Sequence, residues 1–545
     1  MNQLKAAILA VTSVFALHTG GFAQESYSAP GVTVQFGETI KLPSKHVKFG
    51  FAGDLEHGFT QVTYRAKKEV GLFKLTPTLG LESSSISPVS KSKYYLLEDV
   101  LTLGGKSYLL STDYDKKLNS EKLYFQEIDT KQGEISEAPK LMIETENSKV
   151  EGIPIMTGFY KFATYGKFSV QGFEDNPNFL VYYSKKQDRK RGEPVQRRLS
   201  YALFNQDLQM IWEKDVNIGK PDQNFSIIGQ RLFGNDIYIF ARNKSDGGSG
   251  KQKNKPFDEF IVFHIADGSD EAVEYKQDIN DSRLSEFIIS LDNAGDIMIA
   301  GYYTTEKSVG YKGYFTAIFD PETKEMTDLK RYDFSPELVR AFESARDKRK
   351  MDRKEEKRGE ERGMTNLETR KIIKRSNGGR YLVGEQYYMY VTTTTDSKGN
   401  VRYTYHYMFQ DIIVSALDAS GEEEWTIKVP KNQHLVNTTY GASVSAFEYN
   451  DNLYLFYMDH IKNKGLDENS APVQYRSFKD GALVMTRISP DGKPETNFLF
   501  DTRGEDKIIV PLAITQMAPG RLISSGAKAR LFGYKNNTPA LITLD

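Results

Sequence analysis

Three tyrosines, Tyr403, Tyr405 and Tyr407, alternate along one stretch, and Tyr388 and Tyr390 precede them across the turn-forming run Asp396-Ser397-Lys398-Gly399-Asn400. Period-two spacing sends side chains to one side of a strand. The stretch from Tyr388 to Met408 therefore reads as a projecting hairpin, with Tyr388 and Tyr390 facing the other three across it. Such a ladder stacks on sugars or on a protein surface, or it stiffens the hairpin through cross-strand pairs. The second candidate is the segment 335–366. Ser335 can cap a helix, Pro336 suits its first position, and Leu338, Phe342 and Ala345 share a face. From Arg346 to Arg362 nearly every residue is charged, with a basic excess. Arg346, Lys350 and Arg353 are the residues expected to meet an acidic partner or an envelope phosphate; the alternative is a solvated helix or spur. Two basic loops, Lys185 to Arg198 and Lys251 to Lys255, are expected on the same side.

Enzyme chemistry finds less to use. Outside the first residues the histidines are His46, His57, His264, His406, His434 and His460, and no two are spaced H-x-x-x-H. Without any cysteine, a zinc cluster would have to be gathered from distant positions. Asp459-His460 is an adjacent acid and base, a pairing that surface chance also produces. Nucleophile-elbow, phosphate-loop and calcium-loop patterns are missing from the sequence. Paired carboxylates for glycoside cleavage have a separation that spacing does not reveal. No catalytic residue, cofactor or metal is assigned on this basis.

The elements that position these residues repeat. From Ser376 to Pro430 the chain reads as a strand, a long excursion, a second strand (Asp411 to Leu417), a tight turn at Asp418-Ala419-Ser420-Gly421, and a third strand from Glu424. An Asp, Asn, Ser or Gly turn directly after an apolar strand also follows Ile128, Phe204, Ile265, Phe319 and Ile488, with a degenerate copy at Leu75 to Gly80 and the chain end at Asp545. Matching strands after Gly, Asn or Asp turns lie upstream, as at Lys106 to Leu110 and Leu453 to Phe456. The pattern predicts an all-β, seven- or eight-bladed β-propeller, eight by counting markers, with one charged helical insertion at 335–366. The last copy lacks a fourth strand, and Thr39 to Leu42 is expected to supply it and close the ring. Val32 to Phe36 also alternates as a strand should. Because neighbouring strands are antiparallel, each connection between second and third strands lies on the face that carries the blade-to-blade links. The long loops fall there, and function tends to follow them.

Composition sets the class. With 545 residues the chain exceeds one ordinary core, and stacked blades remove that limit. A formal net charge of -1 argues against nucleic acid as a partner. Lys5, the apolar run Ala6 to Leu17 and Gly21-Phe22-Ala23 before Gln24 have the form of a cleaved export signal, 1–23. No later apolar run is long enough to span a bilayer. Residues 24–31 read as a mature tail and 32–545 as a single propeller domain. Absence of cysteine leaves stability to packing and closure, and it removes a lipid anchor. A chain that ends inside its last blade favours the periplasm over secretion.

Leu417-Asp418-Ala419-Ser420-Gly421-Glu422-Glu423-Glu424-Trp425 resembles the blade-ending motif of bacterial quinoprotein-type propellers, and Phe204 to Trp212 is a weaker copy. That resemblance implies the ring shape without the quinone cofactor, whose usual vicinal disulfide cannot form here. Taken whole, the chain is similar to uncharacterised exported propellers of Gram-negative envelopes. The function expected is binding or scaffolding in the envelope through the long-loop face, with a protein or glycan partner. The alternative is a periplasmic or secreted enzyme that acts on glycans or envelope polymers at the axial mouth.

Overall fold

A computed structural model describes residues 25–545 apart from 66–68, 90–91, 136–137, 152, 156–163, 174–175, 187–195, 222–224, 245–257, 268, 278–283, 291–296, 306–307, 359–360, 468–469 and 529–535. The expected export signal and most of the two basic loops lie outside the described residues. No described helix is long and apolar enough to cross a membrane.

The turns that recur in the sequence recur in space for a local reason. In most of them a side-chain oxygen accepts backbone N–H groups two to four residues on, which reverses the chain without help from the rest of the fold, whereas after Ile265 the Asp267 N–H bonds to Asp236 at 2.8 Å. Asp129 accepts from Lys131 and Gln132, both at 2.9 Å. Asn205 accepts from Asp207 at 3.0 Å and Gln209 at 2.9 Å, and Asp418 from Ser420 at 2.8 Å and Glu422 at 2.9 Å. At the degenerate copy Thr76 Oγ1 takes that role, accepting from Gly80 at 2.9 Å. Each turn joins the third and fourth strands of an antiparallel sheet, as at Glu69–Leu75 and Leu81–Pro88.

Among the described residues, eight sheets of four or more strands follow one another along the chain. Alternate residues of a strand buried on both faces serve different neighbours. Leu109 packs with Val62 and Tyr64 of the first sheet, whereas Leu110 packs with Val181 and Tyr183 of the third. Ile239 and Phe240 divide in the same way between the third and fifth sheets, and Leu382 and Val383 between the fifth and seventh. One apolar cluster joins each consecutive pair of sheets, and a cluster of Ile40, Phe59, Leu75 and Ile523 joins the last to the first. The molecule is a closed β-propeller, and the first strands of the first and second sheets, and of the fourth to seventh sheets in turn, lie side by side.

Closure differs in detail from the expected pairing. The strand that completes the last sheet is Val32–Phe36, paired along its length with Asn536–Leu544 from Val32 opposite Leu544 to Phe36 opposite Ala540. Ile40 and Lys41 pair only with Asn537 and Asn536. Val32, Val34 and Phe36 point into the cluster shared with the seventh sheet, which fixes their register by burial. The stretch read as a tail contributes Ser26–Ala29, a further antiparallel strand on Val32–Phe36.

Trp425, of the motif that resembled quinoprotein blade ends, locks two sheets together. Its indole nitrogen donates to Pro490 O at 2.8 Å in the third turn of the seventh sheet. Gly492 in that turn has φ +80°, and a Cβ there would lie 2.8 Å from the indole ring. Gly492→Ala is expected to cost about 1–3 kcal/mol, from strain and displacement of the ring. At the seam, Ile542→Ala is expected to cost about 2–5 kcal/mol. Denaturant midpoints of the two variants check both values.

Candidate functional site

The described long connections of the fifth, sixth and seventh sheets meet one another. The link 430–443 between the sixth and seventh sheets lays Gln433–Val436 beside the hairpin strand Val401–Leu417. Its backbone also bonds the long loop of the seventh sheet, His434 N donating to Tyr475 O at 2.9 Å and Tyr475 N to Asn432 O at 2.8 Å. The insertion after the fifth sheet pairs Glu361–Arg362 with Ser308–Val309 in that sheet's own connection.

The hairpin is present, Arg380–Thr395 against Val401–Leu417, with its turn closed by Asp396 and by Gly399 at φ +81°. The single tyrosine ladder is not. The pairing slips by one residue between Glu385 and Tyr387, and beyond that bulge Tyr388 stands opposite Met408 and Tyr390 opposite His406. A one-residue slip moves a strand's side chains to the other face. Tyr403, Tyr405 and Tyr407 instead oppose Thr393, Val391 and Met389. The five tyrosines therefore divide between two faces of the ribbon. One face carries exposed Met389, Val391, Val401, Tyr403 and Tyr405, while Tyr407 sinks into the cluster at its base.

The other face gathers two histidines that lie 28 positions apart in sequence. His406 Nδ1 and His434 Nε2 are 3.0 Å apart, so one ring donates to the other, and Thr392 Oγ1 lies 3.0 Å from His406 Nε2. Tyr390 stacks on His406 with centroids 4.5 Å apart, and Tyr388 continues the stack. Burial pulls the His434 pKa down, reinforced by His406 and Arg476 and opposed by a bond to Gln474.

The charged insertion is two helices, Pro336–Arg340 and Ala345–Arg358. Ser335 Oγ caps the first, accepting from Leu338 N at 3.1 Å. Arg346, Lys350 and Arg353 are exposed and fall at i, i+4 and i+7 of the second, on one face. The helix is held on another side, where Arg340 pairs with Asp352 at 3.1 Å and Glu355 at 2.7 Å. None of its described residues is buried, so it is a solvated helix tied to the first by these pairs.

Beneath these loops lies a buried ionic chain that spacing does not reveal. Glu385, fully buried, accepts from Arg370 Nε at 2.8 Å and Ser443 Oγ at 2.7 Å and pairs with Lys431 Nζ at 2.7 Å. Lys431 N donates to Asp411 at 3.0 Å, and Asp411 lies 3.7 Å from Lys428. Lys428 Nζ in turn donates to Val339 O and Ala341 O, both at 3.1 Å, at the end of the first insertion helix. Burial raises the Asp411 carboxyl, against Lys428, and lowers the Lys431 ammonium, against Glu385. On the axial side of this chain, among first strands of the sixth to eighth sheets, lies a cavity of about 550 Å³ with Arg370 and Lys371 in its wall.

Asp459 and His460 turn to different partners. The carboxylate faces inward, accepting from Asn463 Nδ2 at 2.8 Å and from the backbone N of His460, while the His460 ring caps a short helix through Lys462 N at 3.1 Å. No group of three or more metal-ligating side chains is present among the described residues.

No protein-family model matches the sequence, and no curated protein matches it. Among solved structures the chain is similar to the β-propeller domain of the trilobed protease from Pyrococcus furiosus, at 11% identity and a TM-score of 0.32, over 84% of this chain and 96% of that one. It is also similar to prolyl oligopeptidase B from Galerina marginata, at 8% identity and a TM-score of 0.37, over 90% of this chain and 56% of that one. The apocarotenoid oxygenase of Synechocystis matches at 10% identity and a TM-score of 0.28, over 70% and 71%. Likeness at this level says nothing of activity, and the propeller stands on its own sheets.

Burial, the largest influence, raises the Asp459 pKa to about 7, against the bonds from Asn463 and His460 and the charge of Lys431. Between about pH 4 and 7 the folded chain holds a proton that the unfolded chain has released, so stability falls as pH rises through that window. Asp459→Asn keeps the accepting oxygen and removes the titration. It is expected to gain about 2 kcal/mol over the parent at pH 8 and to lose that advantage at pH 4, as read by urea denaturation at both pH values. Lys431→Met, which removes one of the two cations that hold the buried Glu385, is expected to cost about 3–5 kcal/mol by the same measurement at pH 8.

Proposed function

We propose that this protein is a binding or scaffolding propeller of a bacterial cell envelope, whose loop-bearing face takes a protein or glycan partner. The observation that carries this reading is the outer face of the hairpin. Met389, Val391, Val401, Tyr403 and Tyr405 are each between 42% and 58% exposed there, contiguous on one side of a ribbon whose base is fixed. An apolar patch on a rigid projection is a docking surface by default, and tyrosine supplies contact area at low entropic cost. The Arg346, Lys350 and Arg353 face of the second insertion helix adds a basic surface for an acidic partner or an envelope phosphate. The leader-like N-terminus supports export; the periplasm is the compartment proposed, with secretion as the alternative.

The rival reading places a glycan-cleaving enzyme at the axial mouth. The cavity described there is walled by Arg370, Lys371, hydroxyls and aromatic rings, with no carboxylate among its described lining. That composition favours holding a ligand over cleaving a glycosidic bond with two acids.

Crosslinking and affinity capture from envelope extract test the proposal with three proteins: the parent, a form with residues 389–407 replaced by a short turn, and Arg346→Glu/Lys350→Glu/Arg353→Glu. Shortening the hairpin is expected to weaken capture at least about tenfold. Charge reversal in the helix is expected to weaken it less and to abolish its salt dependence. Identical crosslinks from all three would sink the proposal.

A further inference from the structure

Several first strands carry a bulge where they pair with the second strand. The register slips between Lys48 and Gly50, Leu97 and Asp99, Ile227 and Gly229, Thr369 and Lys371, and Gln516 and Ala518. On a regular strand, consecutive side chains leave on opposite faces; a bulge re-aims one of them. In the sixth sheet the bulge falls at Arg370, and both Arg370 and Lys371 line the same axial cavity.

Their charges are not equally matched. Arg370 donates through Nε to Glu385 and through Nη1 to Glu368 at 3.0 Å, and Glu385 also holds Lys431. Two cations and two carboxylates balance there. Lys371 has no ion pair among the described residues. Its ammonium donates to Ala446 O at 3.3 Å and lies 5.5 Å from the centre of the Phe447 ring. The side chain is reached by water, yet enclosure by the surrounding protein pulls its pKa down, with no carboxylate to offset it. A single unmatched positive charge thus sits in a concave wall beside Tyr387, Phe409, Phe447 and Leu512, with the Ser443 and Thr439 hydroxyls close by.

We propose that this cavity is a binding site for an organic monoanion, its charged head on Lys371 and its apolar or aromatic body against Phe447, Phe409 and Leu512. One cation without an ion pair in a concave wall selects one negative charge, since a second would meet the Glu368 and Glu385 carboxylates behind Arg370. The aromatic lining selects an apolar body over a free inorganic ion. The site stands apart from the hairpin's outer face and does not depend on a macromolecular partner there.

Calorimetric titration of the full mature chain with 4-phenylbutyrate and with its neutral amide tests this, since the two probes share a body and differ in charge. The parent is expected to bind the anion at least about tenfold more tightly than the amide. Lys371→Met is expected to erase that preference and Lys371→Arg to keep most of it, with unchanged thermal midpoints showing that both remain folded. The form with residues 389–407 shortened is expected to bind as the parent does, which separates this site from the partner surface. Equal affinity for anion and amide, a preference that survives Lys371→Met, or no heat from either probe up to about 10 mM would each overturn the proposal.

Discussion

A ring of sheets has no complete core until its last member meets its first. Here the last sheet is built from both ends of the chain, Val32–Phe36 lying against Asn536–Leu544. Its inner residues Val34, Phe36, Ile542 and Leu544 pack on the seventh sheet, while Ile523 and Leu541 pack on the first. No disulfide assists, because the chain has no cysteine. Polar contacts finish the seam, with Gln61 donating to Ser525 at 2.9 Å, Asn537 to Gln61, and Lys48 to Gly526 O. These contacts join residues more than 450 positions apart, so their loop-closure entropy is large and is offset only once the intervening sheets are stacked. Every long loop is mounted on a platform whose rigidity depends on that closure.

What was legible in the sequence follows from how local each interaction is. The Asx-type turns at Asp129, Asn205 and Asp418 are made by neighbours along the chain, so their spacing alone announced the repeat. The side chosen by the long loops followed from antiparallel order, which is also local. The closing strand was less legible because Val32 to Phe36 and Thr39 to Leu42 both alternate. Burial of Val32, Val34 and Phe36 against the seventh sheet decides between them, and that contact spans nearly the whole chain.

The site was legible in outline and illegible in parity. Period two placed Tyr403, Tyr405 and Tyr407 on one face correctly, but the bulge after Glu385 carries Tyr388 and Tyr390 to the other. A single unpaired residue leaves no trace in composition. Nothing in the spacing of Glu385, Asp411 and Lys431 marks them as buried; the 430–443 link that runs back beside the hairpin covers them. The same link brings His434 to His406, a pairing that no short motif encodes.

The buried chain explains why charge is tolerated so deep under the loop face. Ion pairs of this kind add little net stability, since desolvation consumes what attraction returns. Their geometry supplies something an apolar cluster would not. Val339 O and Ala341 O hold Lys428, Lys428 faces Asp411, Asp411 accepts from Lys431, and Lys431 shares Glu385 with Arg370 at the cavity. One continuous series of directional contacts therefore sets the helical insertion, the foot of the hairpin and the axial cavity in fixed relation. Apolar side chains can slide past one another at small cost, whereas a buried charge that loses its partner costs several kcal/mol, on the order of 3–5. In the binding role proposed above, an element held in this way loses less conformational entropy when it meets a partner. The network is best understood as alignment of the three surfaces that the loop-bearing face presents.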